Sequence, residues 1–303
     1  MSSEEEVNLQ RKYYADTAAK YDAMQISEQD EHQFALAVLS AMIEYHGIRS
    51  VLDVGSGTGR ALRYLKARHP GVRFVGIEPV EALRQVGHAA GLTPAELTDG
   101  DINQLDAMDG EFDLVCEFAV LHHVPQPEIA VAEMLRVARK AIFISDANNF
   151  GQGGKISRFI KQLINSLGLW SAFNYLRTRG RRYNISEGDG LFYSYSVYNN
   201  YAQLRRSCRR LHQFNTVDAA RSLLRFFTTG CVVAFNFRAV RFENLAVCVV
   251  RTERFFVWQQ EVTGIAVLHS DNVTDCTKLF NAFEKYDIHV SAPYFTMYGR
   301  RPM

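Results

Sequence analysis

An aspartate near the end of an apolar run and three glycines on alternate residues stand together in Val51-Leu52-Asp53-Val54-Gly55-Ser56-Gly57-Thr58-Gly59-Arg60. Glycine at 55, 57 and 59 lets the main chain come within contact distance of a ligand, because no Cβ stands in the way. Residues 61–66 read as the start of a helix, whose first turn brings free N–H groups and partial positive charge to the same place. An apolar strand, a glycine turn and a helix are how an open α/β sheet holds a nucleotide-like ligand. The spacing G-x-G-x-G is one residue shorter than the dinucleotide fingerprint G-x-G-x-x-G. Asp53 would repel a pyrophosphate but suits an ammonium group; its alternative is to cap the following helix. The next apolar run, 74–77, ends in Glu78, about 20 residues beyond the turn, where a carboxylate can accept charge-assisted hydrogen bonds from a ribose diol. Gly55, Ser56, Gly57, Gly59 and Pro79 join Asp53 and Glu78 in the expected ligand-binding set.

A second group follows the apolar run 112–116. Glu117 comes directly after it, facing the same edge, and His122 and His123 follow in Leu-His-His-Val-Pro. A histidine with a pKa near 6.5 is a fitting general base for a hydroxyl. The competing reading gives the pair a structural or ligand-side role; if one is the base, His123 is preferred.

These stretches together resemble the class I S-adenosylmethionine-dependent methyltransferases. VLDVGSGTGR is similar to their first motif, VGIEPV to their ribose acid, DGDINQL to their adenine-side acid and FDLVCEFAVLHHVP to their fourth-strand motif. YYADTAAKYDAM resembles the helix that often precedes the fold and covers the cofactor. The resemblance spans residues 11–146. It implies S-adenosylmethionine as cofactor, Asp101 with the Ile102 backbone at the adenine (Asp99 being the alternative), and Tyr13 and Tyr21 over the methionine end, unless those tyrosines only pack the helices. In-line transfer to an acceptor is chiefly a matter of alignment, which can supply about 7–11 kcal/mol.

Positioning these residues requires strands alternating with helices, hence a doubly wound, Rossmann-like parallel sheet. Strands are expected at 73–77, 96–98, 112–116 and 140–145, with helices at 9–21, 29–45, 61–68, 82–90 and 129–138; residues 1–10 read as a frayed tail. After Asp146 the pattern breaks into a polar, glycine-rich and aromatic insertion with one amphipathic helix at 156–167. From Lys155 to Arg182 it holds seven cations (Lys155, Arg158, Lys161, Arg177, Arg179, Arg181, Arg182) and no acid. An insertion after the fifth strand is the expected substrate lid, with Arg179, Arg182, Tyr193 and Tyr195 as candidate substrate-binding residues for an anionic or sugar-bearing acceptor; a solvated helix face is the alternative. The helix also suits the surface of a membrane. The expected divisions are helices at 1–45, a cofactor-binding core at 46–146, the lid at 147–200, the end of a seven-stranded sheet at 201–240 and an α+β extension at 241–303.

The 303 residues are 47% apolar and 22% charged, with net charge +1, so no global field draws the chain to nucleic acid or to an anionic membrane. The five cysteines lack metal-ligand spacing and no metal is expected; with the acidic start MSSEEE they suggest a reducing, cytoplasmic setting without a leader. The expected function is methyl transfer to a small-molecule or glycan acceptor, on oxygen by preference. The rival functions are a nicotinamide oxidoreductase, disfavoured by the glycine spacing, a regulatory protein that binds the cofactor without turnover, and an RNA methyltransferase.

Overall fold

The computed structural model describes residues 2–25, 31–149, 155–208, 210–216, 229–235, 248–249 and 267–268. Its centre is a sheet whose five parallel strands run in the order β3 (Leu97–Thr98), β2 (Arg73–Ile77), β1 (Ser50–Val54), β4 (Phe112–Phe118) and β5 (Ala138–Ala147). Beyond β5 lie two antiparallel segments, Thr229–Phe235 and then Arg210–Thr216. β1 is buried along its whole length, which is why it reads as a continuous apolar run.

The pleat sends alternate residues into two cores. Val51, Leu114, Ala141 and Phe143 face one side, with α3 (Glu31–Tyr45) and α4 (Arg60–Arg68); Leu52, Val115, Ile142 and Ile144 face the other, with α6 (Pro127–Val137). Chain order reverses between β1 and β4, so the crevice at their carboxyl ends is where a ligand binds in such a sheet. Asp53 and the glycines sit at the end of β1, and Glu117 lies within β4 rather than after it.

Residues 3–10 are helix, not a frayed tail. α1 spans Ser3–Thr17, started by a capping box in which the Ser2 hydroxyl accepts from the Glu5 amide and the Glu5 carboxylate accepts from Ser2 N. Glu4, Glu5 and Glu6 also lie favourably in the first turn of the helix dipole. The expected continuous helix to residue 21 is broken by a 3-10 turn, Ala18–Lys20, before the short α2 (Tyr21–Gln25).

The insertion holds two helices and a hairpin where one helix was expected. They are α7 (Lys155–Ser166), α8 (Trp170–Arg177), β6 (Tyr183–Ser186) and β7 (Gly190–Tyr193), followed by α9 (Tyr201–Ser207). The α+β extension expected at 241–303 lies outside the described residues except for 248–249 and 267–268.

Candidate cofactor and catalytic site

The glycine turn has the backbone its sequence demands. Gly55, Gly57 and Gly59 adopt φ of 70°, 57° and 75°, the left-handed region that disfavours any Cβ. Ser56 N–H donates to Ile77 O at 2.9 Å and Gly59 N–H to Ser56 O at 2.8 Å, so the turn is tied to β2. Glu78 closes over it: the carboxylate accepts from Gly57 N–H at 3.0 Å and from Val80 N–H at 2.9 Å. Burial raises Glu78 to about 6 despite those two donors.

Asp53 is 2% exposed. One carboxylate oxygen accepts weakly from the Cys116 thiol at 3.7 Å, and the other, Oδ2, has no hydrogen-bond partner. Burial lifts its pKa to about 7. An unpartnered buried carboxylate oxygen is costly. It becomes favourable when a cation arrives, so Asp53 fits the ammonium of S-adenosylmethionine. A helix-capping role has no support, because the side chain makes no bond to α4.

Above the turn, Thr58 donates to Asp22 at 2.5 Å and Arg63 pairs with the other oxygen of Asp22 at 3.2 Å, fastening α2 to the loop. This lays the Tyr21 ring over Gly57, where a Cβ would stand 3.5 Å from the phenol. Tyr21 therefore lies over the glycine turn. Tyr13 lies elsewhere: its hydroxyl donates to Glu187 O at 2.6 Å and its ring lies against Gly190, so it holds the hairpin. Tyr14, seven residues before Tyr21 and so on nearly the same helical face, is the residue that meets it, ring centroids 5.7 Å apart. Beyond β3, Asp101 pairs with Arg11 at 2.7 Å and accepts from Asn103 N–H at 2.9 Å, while Asp99 is engaged by Arg84 at 2.6 Å. Ile102 is buried in the core beneath them, and Pro79 follows Glu78 at the end of β2.

At the end of β4, Ala119 takes φ of 60°, turning the chain into the short 3-10 helix Leu121–His123. His122 Nδ1 donates to Asp146 Oδ1 at 2.6 Å, and its Nε2 lies 3.5 Å from Asp189 on the β6–β7 turn. Burial alone would lower His122, but Asp146 beside it, with Asp189 opposite, raises it to about 10, so it is an imidazolium at neutral pH. His123 goes the other way: burial and the adjacent imidazolium both lower it. Its Nδ1 lies 2.7 Å from Leu191 O and 3.1 Å from Gln10 Nε2; one tautomer cannot serve both, and the shorter bond favours Nδ1–H donating to Leu191. Nε2 is then an acceptor, bonded by the Tyr14 hydroxyl at 2.8 Å.

Gln10 completes the enclosure, donating to Asp189 O at 3.0 Å and accepting from Leu191 N–H. Glu117 is fully buried; Oε2 accepts from Val120 N–H at 2.9 Å, Oε1 has no partner, and burial with neighbouring Asp146 raises its pKa well above the usual carboxylate range. Ligand atoms of His122, His123 and Asp189 lie within 4.8 Å of one another, close enough for a metal ion. The charge on His122 already accounts for the approach of Asp189.

Tyr14, Gln10, Asp146 and Asp189 were not picked out as site residues from sequence. Two candidate acceptor contacts move elsewhere: Tyr195 is buried in the core with its hydroxyl donating to Asn200 at 2.8 Å, and Tyr193 donates to Glu6 at 2.6 Å. Arg179 and Arg182 are exposed on the link after α8, with φ of 54° and 67°, and form no hydrogen bond or ion pair with His122, His123 or Asp189.

Residues 52–144 match a family model described as a methyltransferase domain. Among curated relatives, phosphatidylethanolamine N-methyltransferase of Cereibacter sphaeroides is 34% identical over 132 residues, 41% of this chain and 64% of that protein. Norajmaline N-methyltransferase of Rauvolfia serpentina is 34% identical over 95 residues, 30% of this chain and 32% of that one. The chain thus spans less than two thirds of the length of these relatives. Among solved structures, 1,6-didemethyltoxoflavin-N1-methyltransferase of Burkholderia thailandensis, with bound 1,6-didemethyltoxoflavin and S-adenosylhomocysteine, aligns with a TM-score of 0.52 at 17% identity, over 78% of this chain and 91% of that one. That likeness is one of fold.

Proposed function

We propose, for a chain whose residues 52–144 belong to the class I S-adenosylmethionine-dependent methyltransferase family, that it transfers the cofactor's methyl group to a small-molecule or lipid-like acceptor. The observation that carries this reading is the buried Asp53 Oδ2 without a partner, set below a left-handed glycine turn that Glu78 closes from the other side. When bound, the cofactor supplies an electrophilic methyl on a sulfonium. Asp53 holds its ammonium, Glu78 accepts from its ribose diol, and Gly55, Ser56, Gly57, Gly59 and Pro79 form the main-chain cradle. Asp101 and the Ile102 backbone take the adenine side, Tyr21 covers the methionine end, and Glu117 lines the edge of β4.

The preferred acceptor atom is an oxygen. His123 Nε2, kept neutral beside the His122 imidazolium, takes the proton of an acceptor hydroxyl that replaces the hydroxyl of Tyr14. Asp146 fixes the ring of His122 and so the field at His123. A phosphate-bearing or glycan acceptor falls within the same proposal, and the relatives that methylate nitrogen keep that atom open to test. The helices at 1–45, the core at 46–146, the lid at 147–200 and an extension at 241–303 remain the proposed divisions. The two antiparallel segments at 201–240 are read as closing a seven-stranded sheet.

The test is methyl-labelled S-adenosylmethionine incubated with the protein and fractionated cell extract, with Gly57→Asp as control and cofactor binding followed by calorimetry. Label entering a small-molecule or lipid fraction only with the unaltered protein is the expected result. Label in RNA alone, cofactor binding without transfer into any fraction, or no cofactor binding would each overturn the proposal.

A further inference from the structure

The apolar face of α7 points outward. Ile156, Phe159, Ile160 and Leu163 recur at helical spacing on one stripe and are all exposed, Ile156 by 78% and Phe159 by 59%. An ordinary surface helix turns such a stripe to the core. Leu167 and Leu169, also exposed, carry the stripe through the Gly168 turn into α8, where Phe173 and Leu176 extend it and Leu176 is 76% exposed. The inner side of α8 is anchored: Trp170 Nε1 donates to Ser194 Oγ at 2.9 Å, and Asn174 and Thr178 are buried. The outward direction of the stripe is therefore set by the packing of α8 on the body. A contiguous patch of this kind marks an interaction surface.

Charge identifies the partner. The segment from Lys155 to Arg182 carries seven cations and no acid, and Arg177, Arg179, Arg181 and Arg182 are exposed beside the apolar residues. A second copy of this chain, with its near-neutral composition of 34 basic and 33 acidic residues, offers no excess of counter-charge. An anionic bilayer offers both a plane of negative charge and a place for Phe and Leu side chains. We propose that α7, α8 and the arginine link after them dock on the surface of a membrane containing anionic phospholipid. The docking stands whatever atom the enzyme methylates, and among the described residues no helix is long and apolar enough to span a membrane.

The full chain is sedimented with vesicles of phosphatidylcholine alone and of phosphatidylcholine mixed with phosphatidylserine, in low and in physiological salt. Mass in solution is followed by analytical ultracentrifugation and cofactor binding by calorimetry on the same samples. Binding is expected to mixed vesicles, weakly or not at all to phosphatidylcholine, and to fall as salt rises. Arg179→Glu with Arg182→Glu is expected to weaken it by at least about tenfold, since each cation near such a surface is worth roughly fivefold. Phe159→Asp with Leu176→Asp should do the same by removing the inserted face. Failure of the unaltered chain to bind mixed vesicles while cofactor binding persists would overturn the docking and leave methyl transfer untouched. So would vesicle binding indifferent to both double variants, or a dimer in solution that Phe159→Asp with Leu176→Asp dissolves in the absence of any vesicle binding.

Discussion

The rings of His122 and His123 lie with centroids 3.9 Å apart and planes tilted by 46°, and yet hold different charge states. Asp146 and Asp189 keep the first protonated, and that charge, together with burial, keeps the second neutral. NMR titration of ring protons should find His122 titrating near 10 and His123 below the ordinary histidine value. The stability consequence follows in sign. A histidine raised in the folded state contributes fully below its unfolded pKa near 6.5 and loses that contribution as pH climbs to about 10. Thermal stability should therefore decline across that window on account of this pair, and Asp146→Asn should flatten that part of the decline.

If His123 Nε2 is the base, His123→Gln should lower kcat by about 10²–10⁴-fold while leaving cofactor affinity nearly unchanged. Because its pKa is depressed, the wild-type rate should be flat from pH 7 down past the ordinary histidine value before it falls. A rate that turns down at pH 6.5 or above would count against His123, and an active His123→Gln would remove it.

Asp53 gives the opposite slope on binding. Its folded pKa of about 7 means that the apo protein takes up a proton on folding between pH 4 and 7, so apo stability from this group falls as pH rises through that window. A cationic ligand favours the ionised form, so cofactor affinity should rise from pH 5 to 8. Asp53→Asn should remove the part of that rise centred near pH 7, leaving the part Glu78 contributes near pH 6, weaken cofactor binding by about tenfold or more and leave the apo protein more stable at pH 8. Calorimetry and denaturant titration across pH read both effects.

The parts of this molecule that follow from local pattern could be read from sequence. Val51 to Val54 is apolar because both sheet faces are covered, and the glycine spacing follows from three left-handed residues in one turn. The parts that depend on distant pairing could not. Asp189 lies 66 positions beyond His123 in sequence and reaches it only because the β6–β7 hairpin folds back under α1. Tyr14 rather than Tyr13 meets Tyr21, because seven residues are nearly two full helical turns, while the Tyr13 hydroxyl bonds the distant carbonyl of Glu187. Tyr195 looked like a lid aromatic because its neighbours are polar, yet Asn200 satisfies its hydroxyl inside the core. The Ser2–Glu5 capping box, by contrast, was readable as Ser-x-x-Glu and was masked by the acidic composition around it.

Gln10 is the joint between α1 and the hairpin, and its removal should separate closure from folding. The side chain is 6% exposed, donates to Asp189 O and accepts from Leu191 N–H, so Gln10→Ala leaves two main-chain groups without partners. The cost should be about 1–3 kcal/mol if those groups stay buried, and smaller if the hairpin lifts into water. Hydrogen exchange at residues 183–193 distinguishes the two, with faster exchange there and an unchanged β1–β4 core expected for lifting.

The three glycines of the turn should separate fold from cofactor binding. A Cβ at Gly55 would run into Val120 and one at Gly59 into Leu92, whereas one at Gly57 meets only the Tyr21 ring at an ordinary 3.5 Å. All three bear the left-handed penalty, roughly 1–2 kcal/mol for alanine. Gly55→Ala and Gly59→Ala should exceed that value in denaturant titration, because the packing of Val120 or Leu92 must also yield. Gly57→Ala should stay near it, but place a methyl group where the cofactor passes between the turn and Tyr21. Cofactor affinity should therefore fall furthest, relative to lost stability, at Gly57; equal ratios at the three positions would mean that the ligand does not lie over this turn.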